Sequence, residues 1–246
     1  MTDEELLSLN RKGLIPGPGE SEEAFIKRVA AIREGGLPRA HWDWAREQTK
    51  EIFDFEPLSL HAFYSNEHLA VWQGAVCWIE EGLPVLQLRE GFQKGHYLGL
   101  YRREEVLAHE AVHAARAAFE EPENEEFFAF AVSAVRWRRV LGPIVRRPWE
   151  VWLLMGGGLA GALWDGFTWI GAGILGVGFW RLIRQHRRLK KAAATAMKRL
   201  GDKKKVRAVL FRLTDQEIRK MARGEWVEGD DTLRWRLIRK AYIKET

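Results

Sequence analysis

Two histidines and a glutamate stand at a spacing that can build a metal site, since His109, Glu110 and His113 form the pattern H-E-x-x-H. An α-helix turns about 100° per residue, so side chains four positions apart project from the same face, one turn above the other. Two imidazoles placed in this way can bind one zinc ion, and the glutamate between them can reach a water molecule on that ion. The residue types therefore predict zinc chemistry, provided that the motif lies on a helix.

The segment that carries the motif has the composition of a helix. Residues 104–118 are rich in Ala and Glu and contain neither Gly nor Pro, and such residues favour helix formation. The context that the motif requires is therefore predicted. The alternative interpretation is a pair of helix histidines and an ordinary exposed glutamate, with no metal.

A catalytic zinc ion usually has three protein ligands, so a third ligand must follow. It is not the histidine of the longer pattern H-E-x-x-H-x-x-G-x-x-H, because positions 116 and 119 are Arg and Phe. If the helix runs about six residues past His113 and a second helix returns antiparallel, residues 125–126 come level with His113. Glu126 is the expected third ligand, and Glu125 and Glu123 are the alternatives.

With Glu126-x-x-Ala129 after H-E-x-x-H, the chain resembles the gluzincin metallopeptidases over about residues 104–133. These include the integral-membrane group of the CAAX prenyl protease and the bacterial stress-response membrane peptidases, whose third ligand is the glutamate of an E-x-x-A-D or E-x-x-A-N sequence. The resemblance implies that His109, His113 and Glu126 bind zinc and that Glu110 is the general base. This chain departs from the pattern at Phe130, where the family has an Asp or Asn that orients a ligand histidine.

Composition and charge narrow the class of protein. The chain has 246 residues, 46% of them hydrophobic and 30% charged, as is typical of a globular protein. Cys77 is the only cysteine, which excludes an intramolecular disulfide and a multi-cysteine zinc site. The acidic first residues lack the apolar segment of a signal peptide, which predicts that the N-terminal part stays in the cytoplasm.

The charge is divided unevenly along the chain. Residues 1–148 carry 18 Lys and Arg against 24 Asp and Glu, whereas residues 149–246 carry 21 against 10. The basic second half follows a long apolar stretch, which indicates anionic lipid headgroups as a partner. Nucleic acid is not expected, because the basic half contains no recognisable nucleic-acid-binding motif.

That apolar stretch, residues 149–180, contains only two charged side chains, Glu150 and Asp165. As one helix it would measure about 48 Å, against a hydrocarbon core of roughly 30 Å. Asp165-Gly166 is a turn signal that divides it into two helices. Basic residues flank both ends, and an even number of spans keeps both flanks on the cytoplasmic side. They are Arg136, Arg138, Arg139, Arg146 and Arg147 before it, and Arg181, Arg184, Arg187, Arg188, Lys190 and Lys191 after it. The prediction is a transmembrane helical hairpin, with a single span or a buried hairpin of a soluble protein as alternatives.

The expected fold class is α+β, in three parts. Residues 1–148 form a cytoplasmic zincin-like domain, residues 149–183 the transmembrane hairpin, and residues 184–246 a basic, mostly helical cytoplasmic region. Strands are predicted at 69–79, 84–90 and 96–102, as a short antiparallel sheet before the H-E-x-x-H helix and its return helix. Residues 85–88 are a candidate edge for pairing with an extended peptide, and Thr214 with Glu217 forms a capping box that opens a later helix.

These observations predict a membrane-anchored zinc metallopeptidase that cleaves a peptide or protein substrate, with Glu110 activating the water. The alternative is a membrane-tethered scaffold or adaptor whose zincin-like fold is catalytically inactive, which the departure at Phe130 favours.

Overall fold

The computed structural model describes residues 1–70, 73–80, 83–144, 148–163 and 168–243. Three helices come first, namely α1 (Asp3–Arg11), α2 (Glu22–Ala31) and α3 (Asp43–Phe53). Their starts follow the local sequence, because the side chains of Thr2 and Ser21 cap α1 and α2 by accepting backbone N–H bonds. The three helices contribute Leu6, Phe25 and Phe53 to the hydrophobic core.

A small mixed sheet follows the helices. Its strands are β1 (Ala62–Tyr64), β2 (Ala75–Glu80) and β3 (Leu83–Leu88), in the order β1-β3-β2. β2 runs antiparallel to β3 as predicted, but β1 is parallel to β3, so the prediction of a purely antiparallel sheet is wrong. The strand predicted at 96–102 is instead a separate ribbon of β4 (His96–Tyr97) and β5 (Tyr101–Arg102).

The position of β3 also corrects the predicted peptide-binding edge. Residues 86–88 of β3 pair with β1 on one side and with β2 on the other. Residues 85–88 therefore do not form a free edge of this sheet. The strand order places β1 and β2 at the two ends of the sheet, so each of them is an edge strand.

The H-E-x-x-H helix and the return helix are both present where they were predicted. They are α4 (Arg103–Ala115) and α5 (Glu125–Ala131), and they are in contact with each other. α4 also contacts α3 and β2. Its buried residues are mostly small or aliphatic, including Ala108, Ala111 and Val112, which allows neighbouring elements to approach α4 closely.

The predicted transmembrane hairpin over residues 149–183 is wrong. Two helices, α7 (Pro148–Leu163) and α8 (Thr168–Leu200), follow the short α6 (Arg136–Leu141) and contact each other. Across the described ranges, however, neither of them nor any other helix has the length and apolar character needed to cross a membrane. α7 has 16 residues and measures about 24 Å, short of the roughly 30 Å hydrocarbon core.

α8 is long enough, but its apolar part ends early. The helix becomes strongly basic from Arg181 onward, so only its first 13 residues are free of charge. The localisation that depended on the hairpin, a two-span membrane protein with both ends cytoplasmic, is therefore wrong as well. The turn predicted at Asp165-Gly166 lies outside the described residues.

Two arginines that were counted as flanking charges have partners within the fold. Arg138 is buried, and its Nη1 lies 3.0 Å from a carboxylate oxygen of Glu105. Arg181 pairs with Glu150 through two hydrogen bonds of 2.9 Å. A count of basic residues cannot distinguish an arginine at a membrane surface from one that neutralises a carboxylate inside the protein.

Two of the last three helices pack against the first ones, and the third packs against α8. The three helices are α9 (Lys203–Phe211), α10 (Asp215–Ala222) and α11 (Leu233–Tyr242), and α10 starts at the capping box predicted for Thr214 and Glu217. α9 contacts α3, and α11 contacts α1. The ring of Phe211 stacks on Phe53 and Phe55, with centroids 4.4 and 5.4 Å apart. Residues from both ends of the chain therefore share one hydrophobic core.

Candidate metal centre

The two histidines of α4 face each other and face a carboxylate of α5. The Nε2 atoms of His109 and His113 are 3.2 Å apart. Oε2 of Glu126 lies 3.7 Å from Nε2 of His109, and Oε1 lies 3.7 Å from Nε2 of His113. Among the described residues, these three side chains are the His, Cys, Asp or Glu group whose ligand atoms lie close enough together to hold one metal ion.

The distances between these atoms suit a zinc ion. Zinc binds imidazole nitrogen at about 2.0–2.1 Å in a tetrahedral arrangement, so two such ligand atoms are about 3.3 Å apart. The observed separations of 3.2 and 3.7 Å lie close to that value. Two imidazoles and one carboxylate are also a donor set that catalytic zinc sites use.

The two alternative ligands have other partners. The Oε1 atom of Glu125 lies 3.3 Å from Nδ1 of His113, the ring nitrogen opposite Nε2, and Oε2 accepts a bond from Arg116. Glu123 pairs with Arg188 and Arg219 at 2.6 and 2.7 Å. The structure thus brings Glu126, of the three candidates, towards the Nε2 atoms of both histidines.

The second nitrogen of each imidazole is also engaged. His109 hydrogen bonds to the backbone of Ala129, and burial together with the neighbouring His113 lowers its pKa well below the usual value. At His113, burial disfavours the charged ring, but the Glu125 hydrogen bond and the nearby carboxylates raise the pKa to about 9.

Glu110 is buried beside this group and faces β2. Burial raises the pKa of the Glu110 carboxyl to about 7, and the Glu126 carboxylate acts in the same direction. The charge of His113 and a hydrogen bond from the backbone N–H of Cys77 act against this increase. Glu110 is therefore balanced between its two protonation states near neutral pH.

Phe130 stands at the position where the family pattern has Asp or Asn. Its ring packs edge-on against the imidazole of His109, with centroids 4.7 Å apart. Gly142 makes room for that ring, since a Cβ at position 142 would overlap the Phe130 side chain. Position 130 therefore restrains His109 through packing and supplies no hydrogen bond from its side chain.

The turn between α4 and α5 is fixed by residues that sequence reasoning missed. Asn124, which is fully buried, donates to Asp215 at 2.6 Å and accepts a bond from Gln185. Asp215 also accepts the backbone N–H of Glu123 at 2.8 Å. The C-terminal helices α8 and α10 thus hold the start of α5. Because these contacts span more than 60 residues of sequence, no local pattern could have indicated them.

An open cleft of about 850 Å³ lies over the centre and is lined by all four residues of the predicted site. The edge strand β2 contributes Ala75, Cys77 and Ile79 to its walls, and other apolar residues come from the segment around α6 and α7. These are Phe130, Trp137, Leu141, Ile144 and Val151. A smaller cavity of about 160 Å³ adjoins His109 and Glu110 and is lined in part by Tyr101 and Arg138.

Comparison with known proteins finds no relative, since no protein-family model, curated protein or solved structure matches the chain.

Proposed function

We propose that this protein is a zinc-dependent peptidase in which His109, His113 and Glu126 bind the metal and Glu110 is the general base. The observation that carries the proposal is the convergence of three potential ligand side chains beside a buried carboxylate, with the two Nε2 atoms 3.2 Å apart and each of them 3.7 Å from an oxygen of Glu126. Three protein ligands leave a position open for water, which is the arrangement of catalytic zinc sites. The resemblance of residues 104–133 to the gluzincins supports the same assignment.

The chemistry divides between the metal and the chain. Bound zinc would supply a Lewis acid that activates water and polarises the scissile carbonyl. Glu110 accepts a proton from the attacking water and delivers it to the leaving amine. Burial raises the pKa of the Glu110 carboxyl, whereas the positive charge of a bound zinc ion would lower it and favour the carboxylate that accepts the proton.

A peptide substrate fits the position of the edge strand. β2 lines the cleft next to Glu110, and its backbone N–H at Cys77 already donates to that carboxylate. An extended peptide can add to an exposed sheet edge through main-chain hydrogen bonds. This arrangement would hold a scissile bond beside the metal, and the apolar walls of the cleft favour substrates with apolar side chains.

A catalytically inactive scaffold or adaptor with the same fold is the second candidate. The observation that favours it is the phenylalanine at position 130, which removes the polar side chain of the family pattern. A scaffold of this kind would bind zinc at the same site without hydrolysing peptides.

The proposal is tested with the full chain, loaded with one equivalent of zinc and incubated with fluorescein-labelled casein. New peptide termini are then identified by mass spectrometry. We expect hydrolysis that a chelator stops and zinc restores. Glu110→Gln should keep the zinc and lose at least about 100-fold in rate, the lower end for general-base removal. His109→Ala should lose the zinc itself.

Glu104→Gln is the matched control, since Glu104 lies on the same helix and pairs with Arg103. It should retain both zinc and activity. Stoichiometric zinc without hydrolysis in the wild type would favour the inactive scaffold. A wild-type protein that binds no zinc would exclude both candidates.

A further inference from the structure

Glu125 directly precedes the proposed ligand Glu126, but its carboxylate lies on the opposite side of the His113 ring. Its Oε1 atom lies 3.3 Å from Nδ1 of His113, whereas Nε2 of the same ring points towards His109 and Glu126. An imidazole can donate from one nitrogen and bind a metal through the other. The two adjacent carboxylates of α5 therefore contact different nitrogens of the same ring.

The Glu125 carboxylate is itself held firmly. Nε of Arg116 donates to its Oε2 atom at 2.8 Å. Arg116 is only 1% exposed, and its Nη1 donates to the backbone carbonyls of Phe211 and Leu213. The rings of Phe119 and Phe128 pack on the guanidinium, with centroids 4.3 and 4.9 Å from its central carbon. Rotation of the carboxylate away from His113 would break this buried ion pair.

We propose that Glu125 is a positioning residue of the metal centre, holding the His113 imidazole with its Nε2 lone pair directed at the metal, and that Arg116 holds Glu125 in place. The inference rests on the zinc site proposed above and assigns it an outer residue that the H-E-x-x-H and E-x-x-A patterns do not contain. A carboxylate that accepts the second N–H of a ligand histidine fixes its tautomer and increases its basicity.

The assignment explains how the centre is supported without a polar residue at position 130. Each imidazole then has one nitrogen directed at the metal site and one nitrogen bonded to the protein, His109 to the backbone of Ala129 and His113 to Glu125. Arg116 extends the support to the carbonyls between α9 and α10. The C-terminal helices thereby hold a ligand of α4 through two intervening side chains.

The experiment measures zinc affinity of the full chain by competition with a fluorescent chelator, for the wild type and four variants. Glu125→Ala removes the acceptor and should weaken zinc binding by roughly 10–100-fold, the range for outer residues of a metal site. Glu125→Gln keeps the volume and one acceptor oxygen, so its loss should be smaller than that of Glu125→Ala. Circular dichroism of each metal-free variant shows whether it is folded.

Glu123→Gln is the matched control, because it removes a carboxylate two residues away that pairs with arginines and not with a histidine. Its zinc affinity should equal that of the wild type. Glu126→Gln should lose more affinity than Glu125→Ala, as expected for a ligand compared with an outer residue.

The outcomes separate this inference from the proposed function. Wild-type affinity in folded Glu125→Ala would overturn the positioning role while the zinc site stands. A loss in Glu125→Ala larger than that in Glu126→Gln would make Glu125 the ligand and overturn both assignments within the site. If Glu125→Ala does not fold, an unchanged affinity in Glu125→Gln and Glu123→Gln alike would also overturn the inference. A wild-type protein without zinc would overturn the proposed function and, with it, the inference.

Discussion

Glu110 differs from a solvent-exposed glutamate in its burial, its hydrogen bonding and its pKa. Its carboxyl group is buried, accepts a hydrogen bond from the backbone of Cys77, and has a pKa raised to about 7. A solvent-exposed helix glutamate would be almost fully ionised at this pH and would donate protons poorly. Burial against β2 therefore gives an ordinary helix residue its proposed chemistry.

Cys77 lines the same cleft as Glu110, so the reactivity of its thiol tests the surroundings of Glu110. Burial raises the pKa of the thiol, and the negative charges of Glu110 and Glu125 raise it further. Since the thiolate is the reactive form, folded protein at pH 7.5 should react with a disulfide reagent such as DTNB at least about tenfold more slowly than a free thiol does.

The same protein unfolded in urea is the control for this measurement and should react at the rate of a free cysteine. Reaction of the folded protein at that rate would contradict the environment described for Cys77. It would also place doubt on the burial of Glu110, because the two groups share the β2 side of the cleft.

The sequence allowed the motif residues to be recognised but not their supports. H-E-x-x-H indicated His109, Glu110 and His113, and helix geometry indicated Glu126 from its distance along the chain. The contact of Glu125 with Nδ1 of His113, and its hold by Arg116, depend on side-chain directions that sequence spacing does not contain. The structure was needed to assign different proposed roles to the neighbouring residues Glu125 and Glu126.

The helix pair α4–α5 is positioned by buried polar contacts from the C-terminal helices. Asn124 donates to Asp215 and accepts a bond from Gln185, and Asp215 also accepts the backbone N–H of Glu123. This arrangement fixes where α5 begins, and so where Glu126 stands relative to His113.

The junction of α10 and α11 supports this arrangement and has a pH dependence that can be measured. Glu217 accepts two bonds from Arg234 at 2.9 and 3.0 Å and one from the Trp235 indole at 2.7 Å. Burial would raise the pKa of this carboxyl, but the bonds and charge of Arg234 outweigh burial and lower it below 4.5. The ion pair should therefore stabilise the protein fully above pH 4.5 and less as the pH falls through the lowered pKa.

Glu217→Gln should reduce the free energy of unfolding at pH 7 by about 3 kcal/mol, because it leaves the buried Arg234 without its counter-charge. It should also flatten the decline of stability as the pH falls below 4.5 through the lowered pKa of the carboxyl group, which is expected in the wild type. Urea unfolding across this pH range measures both effects. Glu225→Gln, which removes the partner of Arg223 in an exposed pair, should change stability by less than about 1 kcal/mol. Equal losses in the two variants would contradict the account.

Elements with strong local signals were predictable and those without were not. The capping box at Thr214 marked the start of α10, and the Ala-rich segment marked α4. β1 was missed because it has only three residues and owes its strand conformation to parallel pairing with residues 86–88. A strand of this length has no periodicity to recognise, and its partner is distant in sequence.

The prediction of a transmembrane hairpin was wrong because it relied on the apolar content of one segment and not on the contacts of that segment with the rest of the molecule. Residues 149–180 are as apolar as many membrane spans, yet the described helices there are either too short or become charged too soon. Arg138 and Arg181, counted as flanking charges, neutralise Glu105 and Glu150. Charge balance inside a fold is set by contacts between elements, which composition does not report.

The molecule as a whole packs the first and last helices of the chain into one hydrophobic core. α1 and α3 pack against α11 and α9, and the shared core supports α4, whose histidines meet the carboxylates of α5. We propose that this assembly holds a zinc ion.

X-ray absorption at the zinc edge of the purified, zinc-loaded protein tests that claim most directly. We predict one zinc per chain, with two imidazole nitrogens at about 2.0–2.1 Å and oxygen ligands at about 2.0–2.2 Å. Absence of stoichiometric zinc would contradict the account, as would a sulfur ligand from Cys77 at about 2.3 Å or a spectrum without imidazole scattering.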